Sequence, residues 1–180
     1  MTVTHNAAGL TDSRGPALIR VPLKNNGKIG APQKVVLSGD WAPTSTGFNA
    51  NGIAATPDGR HLIVAQSETT EGGSALYLVP TGTAGTVDAR RITLHSTWEG
   101  ADGLQLIGQT LYAASPQGVT EIKLSRSLTA GRGLGATQVP DAAWPTAAKA
   151  FGCRLYVVDA NFSNVGNPAA EFKVLAIPLP

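Results

Sequence analysis

Phe48-Asn49-Ala50-Asn51-Gly52-Ile53-Ala54-Ala55-Thr56-Pro57-Asp58-Gly59-Arg60-His61-Leu62-Ile63-Val64-Ala65-Gln66-Ser67 is the stretch that decides the fold. Two short apolar runs, Gly52 to Ala55 and Leu62 to Ala65, flank Thr56-Pro57-Asp58-Gly59. Proline presets φ and glycine accepts φ > 0, so the four residues read as the turn of a β-hairpin. Asn51 places a side-chain oxygen at the entrance of the first strand, and Asp102-Gly103-Leu104 repeats the arrangement further on.

Working outward, the hairpin can be laid over itself. Gly59-Arg60-His61-Leu62-Ile63-Val64 aligns with Gly108-Gln109-Thr110-Leu111-Tyr112-Ala113 and with Gly152-Cys153-Arg154-Leu155-Tyr156-Val157, each a Gly-x-x-Leu followed by apolar residues. The copies are 49 and 44 residues apart, the spacing of propeller blades built from four strands. A third strand follows each copy: Ala75 to Pro80, Gly118 to Leu124 and Phe172 to Pro178, and Ala17 to Leu23 has the same character. A fourth, outer strand is expected at Ala89 to Leu94 and, more weakly, around Ala136 to Val139.

The sequence therefore predicts an all-β chain of β-propeller blades, each of four antiparallel strands, with about three and a quarter blades present. A β-sandwich of about a dozen strands would not require Gly-x-x-Leu to recur at this period. Residues 1–16 lack periodicity and read as a flexible lead-in, with 17–180 forming a partial propeller. Within it, 17–47 reads as an outer strand pair without inner partners, 48–97 and 98–143 as blades, and 144–180 as an incomplete blade. Gly131-Arg132-Gly133-Leu134-Gly135 reads as a loop between outer strands, since it does not open a helix after an inner strand as a phosphate loop would.

Composition narrows the function classes. Charged residues make up only 14% of the 180, while Gly (21) and Pro (12) are plentiful, which suits many short strands joined by turns. A net charge of +2, with Arg90-Arg91 the only adjacent basic pair, argues against nucleic-acid binding. No apolar run is long enough to span a membrane, and Met1 to Leu10 lacks the apolar core of a signal peptide, so the chain reads as soluble with its compartment open. The single cysteine, Cys153, precludes an intrachain disulfide and is expected to be a buried or half-buried structural thiol. His5, His61 and His95 share no ligand spacing and read as solvated. Trp41, Trp98 and Trp144, one per unit, are expected to pack between blades rather than line the channel mouth.

Asn51-Gly52-Ile53-Ala54, Pro57-Asp58-Gly59 and Leu62-Ile63-Val64-Ala65, followed by Asp102-Gly103-Leu104 and Leu111-Tyr112, resemble the SMP-30/gluconolactonase/LRE family, six-bladed propellers related to strictosidine-synthase-like and NHL-type proteins. The match covers residues 48–158, and the flanks follow only by strand pattern. The resemblance is to the C-terminal half of that family and implies half of a six-bladed propeller. It also implies that Asn51 and Asp102 are metal ligands at the mouth of the central channel. The family's third ligand, a Glu of its first blade, has no counterpart upstream of Asn51, and the third repeat carries Trp144-Pro145-Thr146 in place of an Asx-Gly pair.

Both side chains precede an inner strand, so a propeller sets them on one rim. Amide and carboxylate oxygens suit a hard cation, Ca²⁺ first, with Mg²⁺ or Mn²⁺ open. The plainer reading is that the two residues only brace loop backbone at strand entrances. Two functions follow. One is a divalent-metal-dependent hydrolase of a small-molecule lactone or ester, with Asp102 as the catalytic proton acceptor once the propeller is completed. The other is a non-catalytic propeller segment that acts as a binding or assembly module. Either reading expects self-association or a missing N-terminal propeller half as partner, because open blade faces and edges invite pairing.

Overall fold

The computed structural model describes residues 1–4, 6–82 and 84–179. His5 lies outside the described residues. Among those described there is no α-helix, only a 3-10 turn at Phe162–Asn164, and no helix is long and apolar enough to cross a membrane.

Strands follow one another in four groups. The first comprises β1 (Thr2–Val3), β2 (Ala7–Asp12), β3 (Ala17–Pro22) and β4 (Gln33–Gly39). The second comprises β5 (Ala50–Ala55), β6 (His61–Gln66), β7 (Ala75–Pro80) and β8 (Gly85–Leu94). The third comprises β9 (Leu104–Ile107), β10 (Thr110–Ser115), β11 (Gly118–Leu124) and β12 (Ala130–Thr137), and the last β13 (Pro145–Phe151), β14 (Arg154–Asp159) and β15 (Lys173–Pro178). Within each group consecutive strands pair antiparallel, so each is a propeller blade and the chain is a partial propeller.

The hairpin that defines the repeat forms as its chemistry dictates. The Asp58 carboxylate accepts hydrogen bonds from the Thr56 hydroxyl (2.6 Å) and the Arg60 N–H (3.0 Å), and these bonds, the Thr56 one foremost, hold its carboxyl below the usual value. Thr56 Oγ1 in turn takes the His61 N–H at 3.1 Å, which sets the register of β5 against β6.

Four expectations need correction, the last of them, at Trp144, a matter of packing. The stretch 1–16 is not a lead-in: Ala7 to Asp12 pair residue for residue with Pro22 to Ala17, so the pair at 17–47 has inner partners and the first group is a blade. The strand pattern is hidden because Gly9 and Thr11 stand where the other blades carry Ile63, Tyr112 and Tyr156, and Ala65, Ala114 and Val158. The glycine-rich run 131–135 is not a loop but the body of β12, whose pairing with β11 shifts register between Glu121 and Ile122. Gly131 lies against Leu94, Ile122 and Leu124, where a Cβ would meet their carbons at 2.9 to 3.0 Å, so packing selects its small size. Cys153 is exposed, because it sits at the tip of the β13–β14 hairpin rather than in its apolar body.

Blades stack face on face, with alternate residues of each strand directed forward to the next blade or back to the previous one. Leu62 and Val64 pack back onto Leu18, Val35 and Leu37 of the first blade. Ile63, Ala65 and Leu76 pack forward onto Leu104, Leu111 and Ala113, while Tyr112 and Val119 meet Leu155, Val157 and Ile177 of the last blade. Trp41 is buried in the first of these layers, 4.5 Å from Tyr77 by ring centroids, and Trp98 packs against the second. Trp144 departs from the expected packing: it is 39% exposed and faces Phe162 at 6.0 Å. The ten-residue β8 also straps blades together at the periphery, pairing parallel with β4 through Gly85 to Ala89 and with β12 at Thr93 and Leu94.

Candidate functional site

The inner strands lie side by side, and what lets them do so is glycine. A Cβ on Gly52 would stand 1.9 Å from the Asp102 carbonyl oxygen, and one on Gly103 would stand 2.7 Å from both Thr146 O and Ala147 Cα. Each Asx-Gly pair is thus a contact element: the glycine admits the next inner strand, and the Asx before it is left at the rim. The Gly103 N–H donates to Thr146 O at 2.8 Å across the same junction.

Asn51 and Asp102 line one cavity of 210 Å³, with Thr11, Thr146 and Lys149 also at its wall. Asn51 is held firmly. Its Nδ2 donates to Ser67 Oγ at 3.0 Å, and Ser67 Oγ donates its own proton to the Ala101 carbonyl. Its Oδ1 accepts a long bond from Ser13 Oγ, 3.4 Å, and its carbonyl accepts from Thr11 Oγ1 at 2.6 Å. Ser74 completes the brace, donating to Ser67 O at 2.7 Å while accepting the Ala101 N–H at 3.0 Å.

Asp102 differs. Its backbone N–H donates to Ala114 O at 2.9 Å, but among the described residues its carboxylate has no hydrogen-bond or ion-pair partner. Burial in the cavity wall pushes the carboxyl up to about 6. Lys149, in β13, donates from Nζ to Leu104 O at 3.1 Å, and desolvation holds its ammonium below the usual value.

The sequence points to two groups that the structure brings to one cavity, and it misses Ser13, Ser67 and Lys149. Ser13 and Ser67 each follow the second strand of a blade, β2 and β6, but that signal depends on recognising β2 as a strand. Lys149 carries no signal, since a lysine on an incomplete blade reads as solvated.

The donor set suits a hard divalent cation in kind. The Asp102 carboxylate is an unpaired anion among the described residues, and Asn51 Oδ1 keeps lone-pair capacity beyond its long bond to Ser13. It falls short in number, because Ca²⁺ takes six to eight oxygens and, among the described residues, no three His, Cys, Asp or Glu side chains gather at any point.

Neither a protein-family model nor a curated protein sequence matches the chain. Solved structures do. The major allergen Mala s 1 of Malassezia sympodialis superimposes with a TM-score of 0.61 at 16% identity, over 90% of this chain and 49% of its own. A 6-phosphogluconolactonase-type protein of Bacteroides uniformis gives 0.56 at 12% identity, over 98% and 56%. The periplasmic gluconolactonase PpgL of Pseudomonas aeruginosa gives 0.51 at 13%, over 97% and 55%. The chain therefore has the fold of part of a propeller of the kind gluconolactonases use, and it spans about half the length of these structures.

Proposed function

We propose that this chain carries part of the reactive rim of a lactonase-like propeller that hydrolyses a small-molecule lactone or ester. The observation that supports the reading is the convergence of Asn51, Asp102 and Lys149, from three consecutive blades, on one cavity. A carboxyl near 6 is ionised at neutral pH yet more basic than an ordinary aspartate, which suits a group that takes a proton from water. In the hydrolysis, water adds to the ester carbonyl carbon as Asp102 accepts its proton, and when the C–O bond of the ester breaks Asp102 returns that proton to the leaving oxygen, which departs as a hydroxyl while the new carboxylic acid ionises in solvent. The Lys149 ammonium supplies positive charge for the oxygen that becomes negative as water adds. Asn51, clamped by Ser67 and Ser13, orients the substrate beside Asp102.

Asn51 Oδ1 and the Asp102 carboxylate are the groups that would hold a divalent cation, Ca²⁺ by donor chemistry with other divalent ions open. When bound, it would supply Lewis-acid polarisation of the carbonyl. Its remaining ligands would come from water, substrate or residues beyond these four blades.

The test is proton release from D-glucono-δ-lactone, with EDTA and then with added Ca²⁺. The reading expects turnover above the spontaneous rate and a loss of about 100-fold or more in Asp102→Asn, the scale of a general base. A folded wild-type protein that turns over neither lactones nor aryl esters would leave the second reading, a non-catalytic binding or assembly module. The shortage of acidic ligands among the described residues favours that alternative.

A further inference from the structure

Two serine hydroxyls hold Ala101, the residue before Asp102, from both sides. Ser67 Oγ donates to the Ala101 carbonyl, and Ser74 Oγ accepts the Ala101 N–H at 3.0 Å while donating to Ser67 O at 2.7 Å. Ser67 Oγ also meets the Asn51 side chain at 3.0 Å. Ser67 is 5% exposed and Ala101 is fully buried. Asn51, from the second blade, and the backbone that carries Asp102, from the third, therefore meet at one buried hydroxyl.

A hydroxyl has one proton to give, and a carbonyl oxygen only accepts. Among the described residues Ser67 is the single donor to Ala101 O. If the Ser67 proton turned to Asn51 instead, a buried carbonyl would be left without a partner, which is the costly outcome. The proton therefore stays with Ala101, and toward Asn51 the Ser67 hydroxyl can only accept. That decides which way the amide faces. Nδ2 must point at Ser67, and Oδ1 is turned to the other side, where Ser13 Oγ donates to it over a long 3.4 Å. With its nitrogen engaged at Ser67, the weakly bonded oxygen is the group that Asn51 offers a ligand in the cavity it shares with Asp102.

The repeat shows that the fold does not need this hydroxyl. Ser67 stands five residues after Leu62, and five residues after Leu111 and Leu155 stand Pro116 and Ala160. Neither side chain can donate or accept a hydrogen bond, yet both blades form their second strands and hairpins. In the first blade the position is Ser13, the residue after β2, and it too bonds Asn51. Both hydroxyls found at this place in the repeat are thus directed at Asn51. Asp102, whose own blade has Pro116 there, keeps its carboxylate without a hydrogen-bond or ion-pair partner among the described residues.

We propose that Ser67 is a positioning residue that fixes the polarity of the Asn51 amide, so that the cavity receives an acceptor and admits a cation or a hydrogen-bond donor beside Asp102 in preference to an anion. That role rests on the reading of the cavity as the functional site, whereas the amide's polarity is measured without turnover. An inactive protein with this polarity supports the role of Ser67 and counts against the lactonase reading alone.

The experiment is side-chain amide NMR of the ¹⁵N-labelled protein, with Asn51 assigned by its loss in Asn51→Asp. In wild type the Asn51 Hδ2 protons should show nuclear Overhauser contacts to Ser67 Hβ and not to Ser13 Hβ. Ser67→Ala should turn the amide over and move those contacts to Ser13, and Ser67→Thr, which keeps the hydroxyl, should restore the wild-type pattern. Ser74→Ala removes the other half of the clasp on Ala101, so it should lower the melting temperature and leave the amide as it is. Titrated Ca²⁺ should move the Asn51 signals of wild type, with affinity about tenfold weaker in Ser67→Ala, while acetate leaves them in place. Wild-type contacts to Ser13 instead of Ser67 overturn the proposal without any variant. A Ser67→Ala protein that melts earlier but keeps its amide orientation also overturns it, since Ser67 is then a brace between blades, as Ser74 is. Wild-type signals that Ca²⁺ leaves unmoved, or that acetate moves instead, do so as well.

Discussion

Two aspartates in neighbouring blades have opposite fates. Asp159 closes β14 and is 2% exposed. Burial works against its charge, yet N–H groups of Ala143 (3.0 Å), Trp144 (2.7 Å) and Asn161 (3.1 Å) converge on its carboxylate and hold its carboxyl below the usual value. Asp102 sits at the entrance to β9, meets no such donors among the described residues, and is pushed up to about 6 by burial alone. One carboxylate is consumed in tying the loop before β13 to the end of β14. The other is left over, at a cost in stability that the fold carries because the glycines beside it fix the strand. A saturated acid is architecture; an unsaturated one at a shared cavity is available for chemistry.

The comparison breaks most severely at Gly52. Gly52→Ala sets a methyl group 1.9 Å from the Asp102 carbonyl oxygen, a backbone atom that cannot swing aside. We expect a loss of about 3 kcal/mol or more in urea unfolding, the upper end of overpacking costs, together with displacement of Asp102 from Asn51. Asp159→Ala should come next. It strands three backbone donors, and a loss of about 3 kcal/mol is expected, with no change in Asp102's titration.

The two acids should also give opposite pH signatures. For Asp102 the folded value of about 6 lies above the ordinary 3.8, so its contribution is full below pH 4 and is lost as pH rises through 6. Asp102→Asn should therefore flatten the stability profile of the metal-free protein between pH 4 and 6 and raise its melting temperature at pH 8. For Asp159 the folded value is lowered, so its contribution is present above the unfolded value and is lost on acidification. Asp159→Asn should flatten the acid limb instead. The smallest effect belongs to Gly108, which has φ +58 at a hairpin tip and nothing within 4 Å of a notional Cβ. Gly108→Ala should cost only about 1 kcal/mol of backbone strain and leave the site untouched, in contrast to Gly52.

Much of the fold was legible because the hairpins obey local rules. Thr56-Pro57-Asp58-Gly59 builds its own turn from side-chain hydrogen bonds, and Leu62, Leu111 and Leu155 mark the same face of each blade. What escaped was decided by tertiary contact. β2 carries Gly9 where Ile63 stands in the next blade, and Ile53 and Leu62 of that blade come within ordinary contact of where its Cβ would be. In β12 Gly131 is kept small by Leu94, Ile122 and Leu124, while Gly135 answers to its φ of +147. At the site, the paired Asx-Gly signature was visible in residues 51–52 and 102–103. The partnership of Asn51 with Ser13 depended on β2, a strand the sequence pattern hides, and Ser67 and Lys149, although in blades the repeat aligned, carry no local signal that sets them beside Asn51 and Asp102.

The most direct test of this account is a ¹³C-carboxyl NMR titration of Asp102, assigned by Asp102→Asn, with and without Ca²⁺. A midpoint near 6 in metal-free protein, moving down on Ca²⁺ addition while Asp159 stays low, is the expected result. A midpoint near 4 that Ca²⁺ leaves unchanged would show an ordinary solvated carboxylate and contradict the assignment of this cavity as the functional site.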